Sequence, residues 1–298
     1  MPPTDIDVAE ATPQTTLEVR QESAEVNWRT ALFLARCADL AYSVAPDRTA
    51  LDRGAAELGL SASPFYSSPD NQFRGFVGVG RKNGQLFRVL SFRGTWEAGN
   101  WIANLDYRQE AWFGAELHKG FSDAWGSLWF NLRTALSNAG AADAPLWITG
   151  HSLGGALATL ASWRLATAAE LGFAAYLRPT YTFGCPRVGG PKFAADYAAR
   201  TTQYRVIHIQ DPVPHVPPSV ITLGGTIYQY EHVGILYVIN PRYPNIIYAE
   251  DPQGRTVVDW NLTDVANRVR AAFDSVLNRP TILAHRMSEY VSAISAFL

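Results

Sequence analysis

The chain has 298 residues, 47% of them hydrophobic and 17% charged, which is enough apolar material for one large α/β core or two smaller ones; one core is the simpler expectation. A formal net charge of -2 and a pI near 6.3 provide no basic field to neutralise phosphates, so nucleic acid is excluded as an expected partner and a small or apolar ligand is favoured. Cys37 and Cys185 lie far apart in sequence, which excludes a disulfide framework or a paired-cysteine metal site, and both are read as free, buried thiols.

Residues 1–26 carry Pro, Thr and acidic side chains without apolar periodicity and are expected to form a flexible arm, leaving 27–298 as a single domain. The arm lacks the charged-then-apolar run of a signal peptide, and no apolar stretch is long enough to span a bilayer. The expected localisation is therefore cytoplasmic, although leaderless export or a trimmed chain would read the same way. Trp28 to Tyr42 has Ala31, Leu32, Ala35 and Ala38 at helical spacing, and Asp47 to Asp70 reads as loops around a short helical piece. Phe73 to Val79 and Leu86 to Phe92 read as a hairpin across Asn83-Gly84. A helix is expected at Gly120 to Leu136, a strand at Leu146 to Thr149, and a helix from Leu153 to about Leu171, closed by Gly172. Strands at Thr180 to Phe183 and Tyr204 to Ile209 bracket a helix at Lys192 to Arg200, the alternation of a mostly parallel, helix-covered sheet. Shorter strands are expected at Thr226 to Tyr230, Ile235 to Ile239, Ile246 to Ala249 and Thr256 to Trp260, then helices at Thr263 to Leu277 and Ser288 to Phe297.

The sharpest signal is Gly150-His151-Ser152-Leu153-Gly154, a G-x-S-x-G pattern between an expected strand and an expected helix. A serine in so tight a turn occupies a strained backbone position. The flanking glycines are needed because a β-carbon at either place would strike the neighbouring chain. Ser152 is thereby held out at the strand's end as a nucleophile, and the helix that follows aims its unpaired N–H groups at the place where an oxyanion would form. The N–H of Leu153 is the first donor.

An ordered series of further stretches resembles the class 3 (fungal-type) lipase family. These are Ser91-Phe92-Arg93-Gly94-Thr95, Asn100-Trp101-Ile102-Ala103-Asn104-Leu105, His118-Lys119-Gly120-Phe121, Gly150 to Gly155, Thr182-Phe183-Gly184-Cys185-Pro186-Arg187-Val188-Gly189 and Asp211-Pro212-Val213-Pro214. The resemblance implies an α/β-hydrolase fold and a Ser-Asp-His triad in that chain order, with Asp211 as the acid. It also implies that Thr95 supplies a second oxyanion donor. Six histidines compete for the role of base. His118 and His151 precede the nucleophile and fit structural motifs of the family, His208 lies inside a strand, and His215 follows Asp211 too closely to fold back onto it. Tyr230-Glu231-His232-Val233-Gly234 resembles a structural segment of the family. His285, late in the chain and followed by Tyr290, matches the placement of the family's catalytic histidine and is assigned as the base, with His232 as the alternative.

By the same resemblance Trp96 to Tyr107 is a candidate lid, in which Ala98, Trp101, Ile102 and Leu105 share one helical face. Either this face swings between closing the cleft and meeting acyl chains at a lipid–water interface, or the helix never moves. The expected function is hydrolysis of triacylglycerol or other lipid carboxylic esters through an acyl-enzyme on Ser152, without cofactor or metal, a structural calcium being left open. Two rivals stand beside it: a carboxylesterase for short or aryl, feruloyl-type esters, and a non-catalytic lipid-binding module on the same fold.

Overall fold

The computed structural model describes residues 26–68, 70, 72–95, 106–140, 142–168, 172–240, 248–250, 282–296 and 298. Helix α1 (Trp28–Leu40) starts where the Asn27 side chain accepts the N–H of Thr30, which satisfies a helix-end donor, and it buries Ala31, Leu34, Ala35 and Ala38 completely. After α2 (Thr49–Glu57) the chain forms β1 (Leu60–Tyr66), where the sequence reading expected a loop. The serines and Pro64 suggested that loop. A proline is nonetheless tolerated here because β1 is the outermost strand of the sheet, where an absent N–H costs no ladder bond.

Strands β2 (Arg74–Lys82) and β3 (Gln85–Phe92) form the expected hairpin, and Asn83 and Gly84 both take positive φ at its turn. A second hairpin, β4 (Gln109–Trp112) with β5 (Ala115–His118), escaped the sequence reading. Its turn places Phe113 at φ 47, a conformation that phenylalanine rarely signals. Helix α3 (Lys119–Asn138), strand β6 (Leu146–His151), helix α4 (Leu153–Thr167), strand β7 (Thr180–Phe183), helix α5 (Pro191–Ala198) and strand β8 (Gln203–His208) alternate as expected. A third hairpin pairs β9 (Val220–Leu223) with β10 (Thr226–Gln229) across Gly224-Gly225; only its second strand was anticipated. Strands β11 (Ile235–Ile239) and β12 (Tyr248–Glu250) and helix α6 (Met287–Ser295) follow. The expected arm 1–26 (save Val26), the strand 256–260 and the helix 263–277 lie outside the described residues.

Among the described residues eight strands make one sheet in the order β1-β2-β3-β6-β7-β8-β11-β12. Strands β3, β6, β7, β8 and β11 run parallel, while β1, β2 and β12 join antiparallel at the two sides. Both faces are covered, as parallel sheets require. Along β6 the side chains alternate: Trp147 enters the layer with α1 and α6, whereas Leu146 and Ile148 enter the layer with α3 and α4. Five parallel strands thus end on one edge, and β6, β7 and β8 there lead into Ser152, Gly184 and Asp211. That edge is where ligands of open α/β sheets bind.

Candidate active site

Ser152 links β6 to α4 with φ 59 and ψ -131, a positive-φ conformation that costs a non-glycine residue about 1–3 kcal/mol. Its surroundings enforce it. The Ser152 N–H donates to the Phe183 carbonyl at 3.0 Å, and the Ser152 carbonyl accepts from Gly155 at 2.8 Å. A β-carbon on Gly150 would lie 2.1 Å from the Gly154 carbonyl oxygen, and one on Gly154 would lie 2.3 Å from that of Phe92. The bend therefore needs both glycines, as the sequence reading argued. The serine hydroxyl is fully buried and has no hydrogen-bond partner among the described residues, at the N-terminus of a helix whose first N–H groups lack intrahelical acceptors. Leu153 is the first residue of that helix.

The acid and the base meet 74 residues apart. His285, in a short 3-10 turn at Ile282–His285, donates from Nδ1 to Asp211 Oδ2 at 2.7 Å, and both side chains are buried. Asp211 Oδ2 also accepts from the Tyr290 hydroxyl at 2.5 Å, and Oδ1 accepts from the Val213 N–H at 2.8 Å. Three donors offset much of the cost of burying this carboxylate. Tyr290 is itself held by the His208 N–H at 3.0 Å, and burial beside Asp211 pushes its pKa well above 10, so it remains a donor. With Nδ1 committed to Asp211, the imidazole offers Nε2, which like the Ser152 hydroxyl is buried without a partner among the described residues. Serine and histidine do not hydrogen-bond to each other in this state, a contact that often closes only when substrate binds.

The other histidines have different surroundings. His232, the alternative base, donates from Nε2 to the Pro214 carbonyl at 2.8 Å, and burial holds its pKa well below 6.5. His208 ends β8, where its Nδ1 accepts the Gln210 N–H. His118 is buried against Phe121 at 4.3 Å, and burial lowers its pKa to about 4. His215 lies in a 3-10 turn beyond Asp211, half-buried. The ring of His151 lies against that of His285, tilted by 32° with the ring centroids 4.4 Å apart.

Thr95 is half-buried at the end of the stretch that leaves β3, and its neighbour Gly94 packs so closely that a β-carbon there would come within 3.0 Å of Ser152 Cβ. The structure thus brings Ser152, Leu153, the Gly94-Thr95 backbone, Asp211 and His285 to one sheet edge. The lid residues Trp96, Ala98, Trp101, Ile102 and Leu105 fall in 96–105, outside the described residues. Among the described residues no group of three or more His, Cys, Asp and Glu side chains is placed to hold a metal ion.

Gly184 was overlooked as a site residue, although it stood in a quoted motif. It takes φ +56, and a β-carbon there would lie 2.6 Å from Asp211 Oδ2 and 3.0 Å from His285 Nδ1. Its signal was present in the run Phe183-Gly184-Cys185-Pro186, a glycine directly after a strand at the ligand-binding edge. Gly184→Ala is expected to displace the acid–base pair and cut kcat/KM for an ester substrate by about a hundred-fold, read from steady-state kinetics on variant protein with unchanged circular dichroism.

A mostly parallel sheet, a strained serine between strand and helix, and an acid and histidine paired at the same edge define an α/β hydrolase. The family model for class 3 lipases matches residues 89–221. Over 164 residues the chain is 37% identical to secreted mono- and diacylglycerol lipase 1 of Fusarium solani, covering 51% of this chain and 46% of that protein. Over 206 residues it is 31% identical to a lipase of Rhizomucor miehei, covering 67% of this chain and 53% of that one. The native Rhizomucor miehei lipase propeptide complex superposes with a TM-score of 0.64 at 24% identity, covering 91% of this chain and 80% of that chain. The chain belongs to the class 3 lipase family, and it spans about half the length of the two relatives matched by sequence. The cytoplasmic expectation is corrected by the same comparison, since the Fusarium relative is a secreted lipase.

Proposed function

We propose that this protein hydrolyses lipid carboxylic esters, triacylglycerols among them, through an acyl-enzyme on Ser152. The observation that carries the reading is the 2.7 Å contact between His285 and Asp211 at the same sheet edge as a hydroxyl held in a strained turn. In this scheme His285 Nε2 takes the Ser152 proton as the hydroxyl attacks the ester carbonyl, and Asp211 steadies the imidazolium that forms. The N–H groups of Leu153 and Thr95 receive the tetrahedral oxyanion. His285 returns the proton to the departing alcohol, and a water activated by the same imidazole then frees the acid. Residues 27–298 act as one domain in this reading.

The reading is tested by a p-nitrophenyl alkylphosphonate, which reacts only with an activated serine. The expected result is stoichiometric release of p-nitrophenol and a mass increment on the peptide containing Ser152; an unmodified Ser152 overturns the proposal. The substrate class is tested separately with p-nitrophenyl esters of rising chain length and with emulsified triacylglycerol. A lipase with a working lid turns over emulsions faster than dissolved monomers. Activity that peaks on the shortest acyl or aryl esters, with no gain at an emulsion, would instead identify a carboxylesterase.

A further inference from the structure

The scheme above leaves one buried group beside the base unused: the imidazole of His151, immediately before the nucleophile. Its ring lies against that of His285, the two planes tilted by 32° and their centroids 4.4 Å apart. Its Nδ1 is 2.7 Å from the hydroxyl of Tyr42, which sits in the short turn after α1. The same hydroxyl accepts the N–H of Gly94. The packing there is tight: a β-carbon on Gly94 would lie 2.4 Å from Tyr42 Oη and 2.6 Å from the His151 carbonyl oxygen.

We propose that Tyr42 and His151 are positioning residues for the base and for the oxyanion-binding backbone. Tyr42 accepts from Gly94 and donates to His151, so one hydroxyl fixes both the ring on which His285 rests and the segment leading into Thr95. The proposal rests on the triad reading given above.

In this arrangement the Tyr42 oxygen takes the Gly94 N–H and its own proton goes to His151 Nδ1, which leaves the ring proton of His151 on Nε2. Burial, with His285 adjacent, holds the pKa of His151 well below 6.5, and burial pushes that of Tyr42 upward; the pair therefore consists of a neutral ring and a protonated hydroxyl. A neutral aromatic face attracts the imidazolium that His285 becomes during acyl transfer, whereas a second cation in its place would repel it. Among the described residues the titratable groups facing His285 are Asp211, Tyr290 and His151. Those facing His151 are Tyr42, Tyr290 and His285, with Arg93 and Asp39 behind Tyr42. Replacing His151 by Phe or by Leu removes the partner of the Tyr42 hydroxyl in both cases, and only Leu also removes the aromatic face.

The test uses the whole protein, a soluble p-nitrophenyl ester, and the variants Tyr42→Phe, His151→Phe and His151→Leu. Tyr42→Phe is expected to lower kcat about tenfold with KM changed less than about twofold, because alignment is lost and binding is not. His151→Leu is expected to move the acid limb of kcat/KM to lower pH, since the imidazolium loses its aromatic face; His151→Phe keeps a face and holds the limb near that of the native enzyme. In the native protein, imidazole ring nitrogen spectra should show His151 with its proton on Nε2, a measurement that needs no variant to fold. Native kcat in Tyr42→Phe, an identical acid limb in the Leu and Phe variants, or a proton on Nδ1 of His151 each overturns the proposal. Phosphonate labelling of native protein separates the two levels. A labelled, active native enzyme with unaffected variants overturns the positioning role alone, and an unlabelled one overturns the triad reading itself.

Discussion

Ser152→Ala is expected to abolish ester hydrolysis, lowering kcat by about a million-fold, the loss measured when the nucleophile of a serine triad is removed. The residual rate, still above that in water, would come from the oxyanion-binding amides and from substrate binding. Stability should change in the opposite direction or not at all, because alanine removes a buried hydroxyl that has no partner among the described residues. The paired measurement is kcat on a p-nitrophenyl ester and Tm on the same preparation. The histidines supply the internal control. His285→Ala should be as inactive as Ser152→Ala, since members of a triad act as a unit, while His232→Ala should retain turnover and lose stability through the orphaned Pro214 carbonyl. An inactive His232→Ala of native Tm, beside an active His285→Ala, would reverse the assignment.

Asp211→Asn carries the second-largest expected effect, a fall in kcat of about ten-thousand-fold at neutral pH. The amide preserves the shape of the carboxylate but carries no charge. It offers an N–H to His285 where the carboxylate offered a lone pair, so the imidazole turns to its other tautomer and Nε2 can no longer both accept and return the serine proton. The same exchange sets an amide against the Tyr290 hydroxyl, which donates to Asp211 at 2.5 Å. Binding should survive, with KM within about threefold, because the carboxylate does not reach the ester. A wild-type kcat in Asp211→Asn would show that another group orients the imidazole.

The strained turn at Ser152 was legible because its constraints are local. Gly150 and Gly154 are required by atoms within four residues or by the neighbouring strand, and the switch from strand to helix is written in the apolar pattern on either side. The pairing of Asp211 with His285 was legible only through motif order, since nothing in the residues around His285 announces a contact at a separation of 74. For the same reason order alone leaves His232 as an alternative, and its ring bonds the Pro214 carbonyl. In the fold, the central parallel strands were read well because short strand-forming runs alternate with helix-patterned segments, whereas β1 was hidden by two serines and by Pro64, a proline that an outer strand tolerates. Gly184 and the Tyr42–His151 pair went unassigned because their roles lie in distances between segments, which a linear reading does not contain.

His285, the proposed base, sits in the turn just before α6, whose Tyr290 and Ile294 pack into the layer occupied by α1, outside the central ladder of strands. Chemistry and scaffold are therefore separable. A perturbation that undocks this one helix withdraws the proton acceptor and the Tyr290 brace together, yet leaves every parallel strand paired. On gentle heating, turnover should vanish while the sheet's spectroscopic signature persists, and a ligand that bridges Ser152 and His285 should delay the first event more than the second.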